Sequence, residues 1–270
     1  MCIPLRPFHA EVGVTLSITV RGEGRDLVLV HGWAMHGGIF APLVAALEAH
    51  FRLHVVDLPG HGASRDYAPG DLDPARCARA IAAATPPAIW LGWSLGGLVA
   101  LQAALAAPAH VQALVAVACS PRFVVADDWP HGVPAQVFAD FARALEQRFD
   151  AAIERFLALE TLGSAHAQEE LRVLRAEVFA RGAPEPAALH EGLAILDRCD
   201  LRASLAGLRV PSLWIAGRRD RLVAPAAMHW AARQAANARA LELPSGHAPF
   251  LGHAAAMAEA NRALAAETPA

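Results

Sequence analysis

The sequence predicts an α/β fold in which a mostly parallel, doubly wound sheet carries an inserted block of helices. Short runs rich in Val, Ile and Leu alternate with helical stretches up to residue 120 and again after residue 200. Such alternation is typical of a parallel sheet covered by helices on both faces. Because no strand-like run interrupts residues 121–199, we predict a core formed by residues 1–120 and 200–270 and a helical lid formed by residues 121–199.

The elements of the first half follow from their apolar patterns and turn residues. Asp73 and Pro74 suit the N-cap and the first position of a helix. Glycine or proline punctuates the apolar runs that we interpret as buried strands. The predicted strands are 26–32, 51–60, 88–93 and 111–119, and the predicted helices are 73–84 and 95–107.

The second half begins with helices and then returns to alternation. Apolar residues recur every three or four positions through 134–160, which is helical spacing. Two further helices are predicted at 169–182 and 186–199. The later elements are strands at 210–217 and 238–244, a helix near 225–236 and a last helix from about 253.

The composition favours a globular protein with a large core. The chain has 270 residues, 55% of them hydrophobic, and a mean hydropathy of +0.31, which suits one large domain without disorder. No uninterrupted apolar run is long enough to span a membrane. Residues 1–13 lack the apolar segment of a signal peptide. We therefore expect a cytoplasmic protein that makes no membrane contact.

The cysteines and charges argue against several other classes. Cys2, Cys77, Cys119 and Cys199 lack the paired spacing of a zinc site or a disulfide framework. The formal net charge is −3 and all 23 basic residues are arginine. Because no concentrated basic face is indicated, we expect no nucleic-acid partner.

A serine flanked by glycines marks the junction between the third predicted strand and the next helix. Residues 92–96 read Gly-Trp-Ser-Leu-Gly. A serine hydroxyl becomes a useful nucleophile at neutral pH only when a base removes its proton during attack. The small residues allow a turn sharp enough for Ser94 to stand above the sheet. A tight turn with an incidental serine is the alternative, but the elements on either side favour a nucleophile.

The candidate base and acid both follow late strands. We predict His247 as the base, and its rival His253 is expected where the last helix begins. Asp220 lies just beyond a strand, at the carboxyl edge where parallel sheets gather ligands. We predict that Asp220 orients the imidazole. Asp57 also ends a strand, but it leads into a Pro-Gly turn and is expected to be structural.

Several motifs together resemble the α/β-hydrolases across nearly the whole chain. They are "LVHGW", "VVDLPGHGASR", "GWSLGGLVAL", "AGRRDRLV" and "GHAPFLGH". The order Ser94, Asp220, His247 is the order of that family, which implies the α/β-hydrolase fold. More closely, "IWLGWSLGGLVA", "VQALV", "ERFLALET" and "HAPF" are similar to the carboxylesterases of biotin synthesis. Those enzymes remove the methyl ester from pimeloyl-acyl-carrier protein.

Ester hydrolysis by a serine also needs two backbone N–H groups. They stabilise the negative charge that the ester carbonyl oxygen acquires in the tetrahedral intermediate. We predict that Leu95 and Trp33 supply them, while His31 and His61 shape turns. Trp33 and Trp93 flank the point of attack, with core packing as the alternative. From this position we predict that Trp33 contacts the acyl chain. The resemblance implies that a run of lid residues also contacts substrate: Phe156, Leu157, Ala158, Leu159 and Glu160. No metal or organic cofactor is expected.

The resemblance also implies a surface that docks the acidic carrier protein. Arg155, Arg172 and Arg175 fall where the family has basic residues. Residues 121–199 nevertheless contain eight arginines against thirteen Asp and Glu, a formal net charge of −5. Ala151 and Gln168 stand where other members carry arginine. The alternative is that these arginines pair with nearby glutamates.

The resulting hypothesis is a monomeric serine carboxylesterase that cleaves the methyl ester of pimeloyl-acyl-carrier protein through a Ser-His-Asp triad. The alternative is a broad short-acyl carboxylesterase or a lactonase with the same triad. A peroxidase of the same fold and a catalytically inactive binding protein are lesser alternatives. The binding protein is disfavoured because all three triad residue types are present.

Overall fold

A seven-stranded sheet organises the chain, which a computed structural model describes from residue 13 to residue 269. The strands are β1 (Ser17–Arg21), β2 (Arg25–Val30), β3 (Phe51–Asp57), β4 (Ala88–Trp93), β5 (Val111–Val117), β6 (Ser212–Gly217) and β7 (Ala238–Leu243). They lie in the order β1-β3-β2-β4-β5-β6-β7, with β1 antiparallel to β3 and the other pairs parallel. The predicted fold class is confirmed. Cys2 lies outside the described residues. The stretch 1–13, on which the signal-peptide expectation rests, also lies outside them except for Gly13.

Helices cover both faces of the sheet. They are α1 (Ala41–Leu47), α2 (Pro74–Ala84), α3 (Leu95–Ala106), α4 (Gln136–Gln147), α5 (Phe149–Thr161), α6 (Ala167–Val178), α7 (Pro186–Arg198), α8 (Pro225–Gln234) and α9 (Pro249–Glu267). Every residue of β4 is buried, as expected for a central strand packed on both sides. Asp73 caps α2 as predicted, because its side chain accepts from the amides of Ala75 and Arg76.

Three boundaries differ from the predictions. The edge strand β1 was not predicted, since only Ile18 and Val20 of its five residues are strongly apolar. The helical stretch 134–160 is two helices, because Arg148 breaks it with φ −154° and ψ 80°. The last helix begins at Pro249, a residue suited to a first helical turn, and a kink at His253 lies inside it.

The helices α4 to α7 lie between β5 and β6 and form what is called below the helical insertion (residues 136–198). Its core is apolar, with Phe141 packed edge-on against Phe156 at 5.5 Å between ring centroids. No helix among residues 13–269 has the length and apolar character that a membrane span requires.

Asp57 joins the carboxyl edge of the sheet to the helical insertion. Its Oδ1 accepts from the Gly37 amide at 2.7 Å, and its Oδ2 accepts from the Ala63 amide at 2.8 Å. The guanidinium of Arg181, between α6 and α7, donates to Oδ2 at 3.1 Å. Burial acts to raise the pKa of Asp57, but the neighbouring His31, together with these donors, holds it below its usual range. The structural role predicted for Asp57 agrees with these contacts.

We expect Asp57→Asn to lower the free energy of unfolding by about 2–3 kcal/mol, because charge-assisted hydrogen bonds are lost and an amide N–H faces backbone donors. Urea unfolding measures the change. Asp66→Asn, at an exposed carboxylate, is the control and should stay within about 0.5 kcal/mol of wild type. Equal stability of the two variants would contradict this role.

Candidate active site

Ser94 lies on a strained turn between β4 and α3. Its φ of 53° and ψ of −118° lie in a region that residues with a side chain rarely adopt. A Cβ on Gly92 would lie 2.3 Å from the Gly96 carbonyl oxygen, and a Cβ on Gly96 would lie 2.3 Å from that of Val30. The flanking glycines are therefore required by close backbone approach. This geometry matches a nucleophile elbow.

A continuous hydrogen-bonded series runs from Ser94 through His247 to Asp220. The Ser94 Oγ lies 2.9 Å from the His247 Nε2, and the His247 Nδ1 lies 2.7 Å from the Asp220 Oδ2. The Asp220 Oδ1 accepts from the amides of Leu222 at 2.8 Å and Val223 at 3.0 Å. Because the carboxylate holds Nδ1–H, Nε2 is the acceptor for the hydroxyl proton. The structure brings the three predicted residues together.

The loop that carries His247 is held from two sides. Its amide donates to the backbone oxygen of Glu160 on α5 at 2.9 Å. Its carbonyl accepts from the indole N–H of Trp93 on β4 at 2.8 Å. Trp93 is fully buried and packs edge-on against Phe250 at 5.0 Å. The core-packing alternative for Trp93 is therefore the one that the structure favours.

Leu95 belongs to the elbow, and Trp33 follows Gly32, where an added Cβ would lie 3.2 Å from the Ser94 Cβ. Leu95 is the first residue of α3, and Trp33 follows β2 in the chain. Among residues 13–269, neither backbone amide has a hydrogen-bond acceptor. The Trp33 indole donates to the Leu189 carbonyl on α7 at 2.9 Å, and its ring meets Phe156 at 4.5 Å. The predicted oxyanion amides are thus available for a ligand.

The histidines in the neighbouring turns are structural. The His31 Nε2 accepts from the Leu58 amide at 2.9 Å, so its Nδ1–H donates to the Gly32 carbonyl at 2.7 Å. The His61 Nδ1 lies 2.9 Å from the Pro59 carbonyl oxygen. Burial lowers the pKa of His31 to about 3 and that of His61 to about 4. Both rings are neutral at pH 7, which is consistent with the predicted turn-shaping roles.

The predicted substrate segment does not present all five residues to the same side. Phe156, Leu157 and Glu160 are buried, while Leu159 is half-buried and Ala158 is exposed. A helix turns by about 100° per residue, so consecutive positions face different directions. Ala158 therefore faces away from the buried members of its segment, and contact of these five residues with substrate stays a prediction.

Glu160 places a second carboxyl group beside the triad. Its side chain is 2% exposed, and its Oε2 has no hydrogen-bond partner among residues 13–269. Burial, aided by the negative charge of Asp220, raises the pKa of Glu160 well above its usual range. This buried group favours its protonated form and offers a hydrogen-bond donor.

The arginines predicted to dock a carrier already have partners. Arg172 pairs with Glu169 at 2.5 Å, and Arg175 pairs with Glu154 at 2.7 Å. The Arg155 guanidinium lies over the Phe141 ring, 5.3 Å from its centroid. These contacts agree with the alternative of local pairing for Arg172 and Arg175. Docking by these three residues stays a prediction.

The sharp turn at Ser94 was expected from the sequence, but the positive φ angles at Ala34 and Ala118 were not. Within residues 13–269, the non-glycine residues with positive φ are Ala34, Ser94 and Ala118, at 63°, 53° and 44°. They follow β2, β4 and β5 along the carboxyl edge of the sheet. Alanine carries no signal for this backbone region, whereas the glycines around Ser94 do. In the same described range, no group of three His, Cys, Asp or Glu side chains is arranged to hold a metal ion.

Residues 27–254 match the family described as the alpha/beta hydrolase fold. The chain belongs to the α/β-hydrolase family. The resemblance stated from the motifs is confirmed, and the match covers the elbow, the loop with Asp220 and the loop with His247.

Two relatives named "Pimeloyl-[acyl-carrier protein] methyl ester esterase" are similar over almost the full chain. The protein from Xanthomonas oryzae is 54% identical over 255 residues, covering 94% of this chain and 100% of that protein. The protein from Stenotrophomonas maltophilia is 56% identical over 249 residues, covering 91% and 94%. The solved esterase EaEST from Exiguobacterium antarcticum has a TM-score of 0.84 and 21% identity, covering 93% and 95% of the two chains. This last likeness shows the fold.

Glu160→Gln tests the protonated carboxyl group through the pH dependence of stability. A folded-state pKa raised above the unfolded value contributes stability that is complete below the unfolded pKa and is lost as pH rises towards the folded one. The variant should therefore gain Tm relative to wild type between pH 4.5 and pH 8, as thermal scans at fixed ionic strength measure. Glu169→Gln, at an exposed carboxylate, should show no such gain. A difference in Tm between Glu160→Gln and wild type that stays constant with pH would contradict the assignment.

Proposed function

We propose that this protein is a serine carboxylesterase that hydrolyses the methyl ester of pimeloyl-acyl-carrier protein, in the synthesis of biotin. The observation that carries the proposal is the hydrogen-bonded series Ser94–His247–Asp220. It occurs in a chain that is 54–56% identical, over 91–94% of its length, to relatives bearing that enzyme name. Similarity of this extent supports a shared substrate, and the hydrogen-bonded series supports a shared chemistry.

In the proposed reaction, His247 takes the proton of Ser94 as Oγ attacks the ester carbonyl carbon. The tetrahedral intermediate places its negative charge at the amides of Trp33 and Leu95. The C–O bond to the methoxy group then breaks, and His247 gives its proton to the methoxy oxygen, which leaves as methanol. Water, deprotonated by the same imidazole, attacks the acyl-enzyme and releases the free acid and Ser94.

The surroundings of Ser94 suit a neutral ester with an aliphatic chain. Trp33, Phe156 and Leu157 are buried apolar residues, the rings of Trp33 and Phe156 lie 4.5 Å apart, and Ser94 itself is 3% exposed. We include Trp33 and the inward-facing residues of 156–160 in the acyl site. Residues 121–199 act as its lid, and residues 1–120 and 200–270 form the catalytic core. The proposed enzyme is a cytoplasmic monomer that needs no metal or organic cofactor.

We expect Ser94→Ala to lose reaction with a fluorophosphonate probe and to lower the rate of ester hydrolysis by about a thousandfold or more. Intact-protein mass spectrometry detects the probe. Ser120→Ala is the matched control, because Ser120 is another buried serine and its hydroxyl donates to the Arg122 carbonyl. Labelling of Ser94→Ala at the wild-type rate would contradict the assignment of Ser94 as the nucleophile.

The substrate is tested with the methyl ester of pimeloyl-acyl-carrier protein and with a small methyl ester at equal concentration. We expect kcat/KM to be at least about tenfold higher for the carrier-linked ester. Mass spectrometry measures its hydrolysis, because the carrier loses the mass of one CH2. Equal or lower activity on the carrier-linked ester would favour a broad short-acyl esterase or a lactonase instead. Failure to restore growth without biotin in a host lacking such an esterase would speak against the pathway.

A further inference from the structure

The loop that follows β2 carries Trp33, whose amide is proposed to meet the oxyanion. Residues 33–36 are called the oxyanion loop below. At the start of this loop, a Cβ on Gly32 would lie 3.2 Å from the Ser94 Cβ, so the backbone there packs against the elbow. Ala34 has a φ of 63°, in a region that residues with a side chain adopt only when their surroundings enforce it. The direction of the Trp33 amide therefore depends on what holds the other end of the loop.

His36 holds that other end and joins it to the helical insertion. Its side chain is 2% exposed. Its Nδ1 accepts from the Gly38 amide at 3.0 Å, which caps the 3-10 turn Gly37–Phe40. Because Nδ1 is the acceptor, the ring proton is on Nε2, which donates to the Glu177 carbonyl near the end of α6 at 2.7 Å. One imidazole thus connects the oxyanion loop with α6.

These two hydrogen bonds require a neutral imidazole. A protonated ring would carry a second N–H at Nδ1 and point it at the Gly38 amide, which is also a donor. Burial lowers the pKa of His36, and Arg181 acts in the same direction, whereas Asp57 and Glu177 act against them. The Glu177 carboxylate lies 4.0 Å from Nε2, farther than the carbonyl of the same residue. The backbone carbonyl is therefore the partner that fixes the ring.

We propose that His36 is a positioning residue for the oxyanion site, because its hydrogen bond to the Glu177 carbonyl ties the oxyanion loop to α6 and so fixes the Trp33 amide. It acts through the backbone of residues 34 and 35. An amide already aimed at the developing negative charge needs no reorientation during the reaction, which is the main advantage of an oxyanion hole. The inference rests on the proposed function for the chemistry of Ser94, but it holds for any ester that Ser94 attacks.

Two substitutions separate the bond to α6 from the cap of the 3-10 turn. In His36→Asn, the side-chain oxygen can still accept from the Gly38 amide, since asparagine is a favoured N-cap residue. The asparagine side chain is too short to reach the Glu177 carbonyl. In His36→Gln, the longer side chain carries an N–H to about the position of Nε2, but it has no acceptor at the position of Nδ1.

Activity should follow the bond to α6 and not the cap. We expect His36→Asn to lower kcat for a small methyl ester by about tenfold or more, with KM within about twofold of wild type, because the oxyanion forms only after the ester has bound. His36→Gln should keep at least about half of the wild-type kcat. Each kcat is expressed per site titrated with a fluorophosphonate, so that unfolded protein does not contribute.

The affinity for a trifluoromethyl ketone reports on the oxyanion site directly. Such a ketone adds to the serine hydroxyl and forms a tetrahedral adduct with a negatively charged oxygen, which resembles the intermediate of hydrolysis. Its inhibition constant should rise in His36→Asn by about the factor by which kcat/KM falls. A role confined to stability would lower Tm and leave this constant unchanged.

His54→Asn is the matched control. His54 is another buried histidine, 4% exposed, and its Nε2 lies 2.6 Å from the Asp26 Oδ1. The same substitution therefore shortens a buried ring and removes a hydrogen bond of the same ring atom, but within β3. Its kcat and its inhibition constant should stay within about twofold of wild type. An equal fall of kcat in His54→Asn and His36→Asn would overturn the inference.

The remaining outcomes separate this inference from the proposed function. Wild-type kcat in His36→Asn, or equal losses in His36→Asn and His36→Gln, would overturn the inference and leave the function intact. If the wild-type protein hydrolyses the small ester but not the carrier-linked ester, the proposed substrate is wrong and the inference stands. If the wild-type protein neither hydrolyses the small ester nor reacts with the fluorophosphonate, both are wrong.

Discussion

The left-handed backbone at Ser94 is the constraint on which the rest of the site depends. A residue with a side chain adopts this conformation only when its surroundings enforce it. Here β4 is buried along its whole length, and α3 starts at the next residue. Gly92 and Gly96 permit the backbone contacts that hold the turn closed, and a Cβ on Gly97 would lie 2.4 Å from the Cβ of Cys119. The core therefore supplies the energy that keeps one hydroxyl clear of the sheet.

His247, the proposed general base, is held by both the sheet and the helical insertion. His247 is fixed through its side chain by Asp220, through its carbonyl by Trp93 and through its amide by Glu160. Trp93 belongs to the central sheet, whereas Glu160 belongs to the helical insertion. The insertion is thus part of the framework that positions the imidazole, in addition to covering it. This arrangement also places the Glu160 carboxyl group beside the triad, where its Oε2 has no hydrogen-bond partner among residues 13–269 and where burial and Asp220 favour the neutral form.

Much of the fold and of the catalytic series follows from local signals. The sequence shows glycines around Ser94, and it shows apolar runs that end just before Asp220 and His247. Both signals are local, because a tight turn and a buried strand each depend on neighbouring residues. The break at Arg148 escaped prediction because the apolar spacing runs through it unchanged. The edge strand β1 escaped because it is only partly buried.

Contacts between distant parts of the chain could not be predicted in this way. The pairing of Arg175 with Glu154 depends on how α5 and α6 pack. The burial of Glu160 against Asp220 depends on how the insertion sits over the sheet. The outward direction of Ala158 depends on the rotation of α5 about its axis, which composition alone does not fix.

Trp33 has a consequence for the timing of reactivity. Its indole is bonded to the Leu189 carbonyl on α7, and its own amide is the one proposed to meet the oxyanion. A shift of α7 away from the sheet would pull on that ring and misplace the amide of the same residue. With α7 displaced, the site would be open to water and its amides would stabilise the oxyanion less well. Esters that reached Ser94 in that state would react slowly.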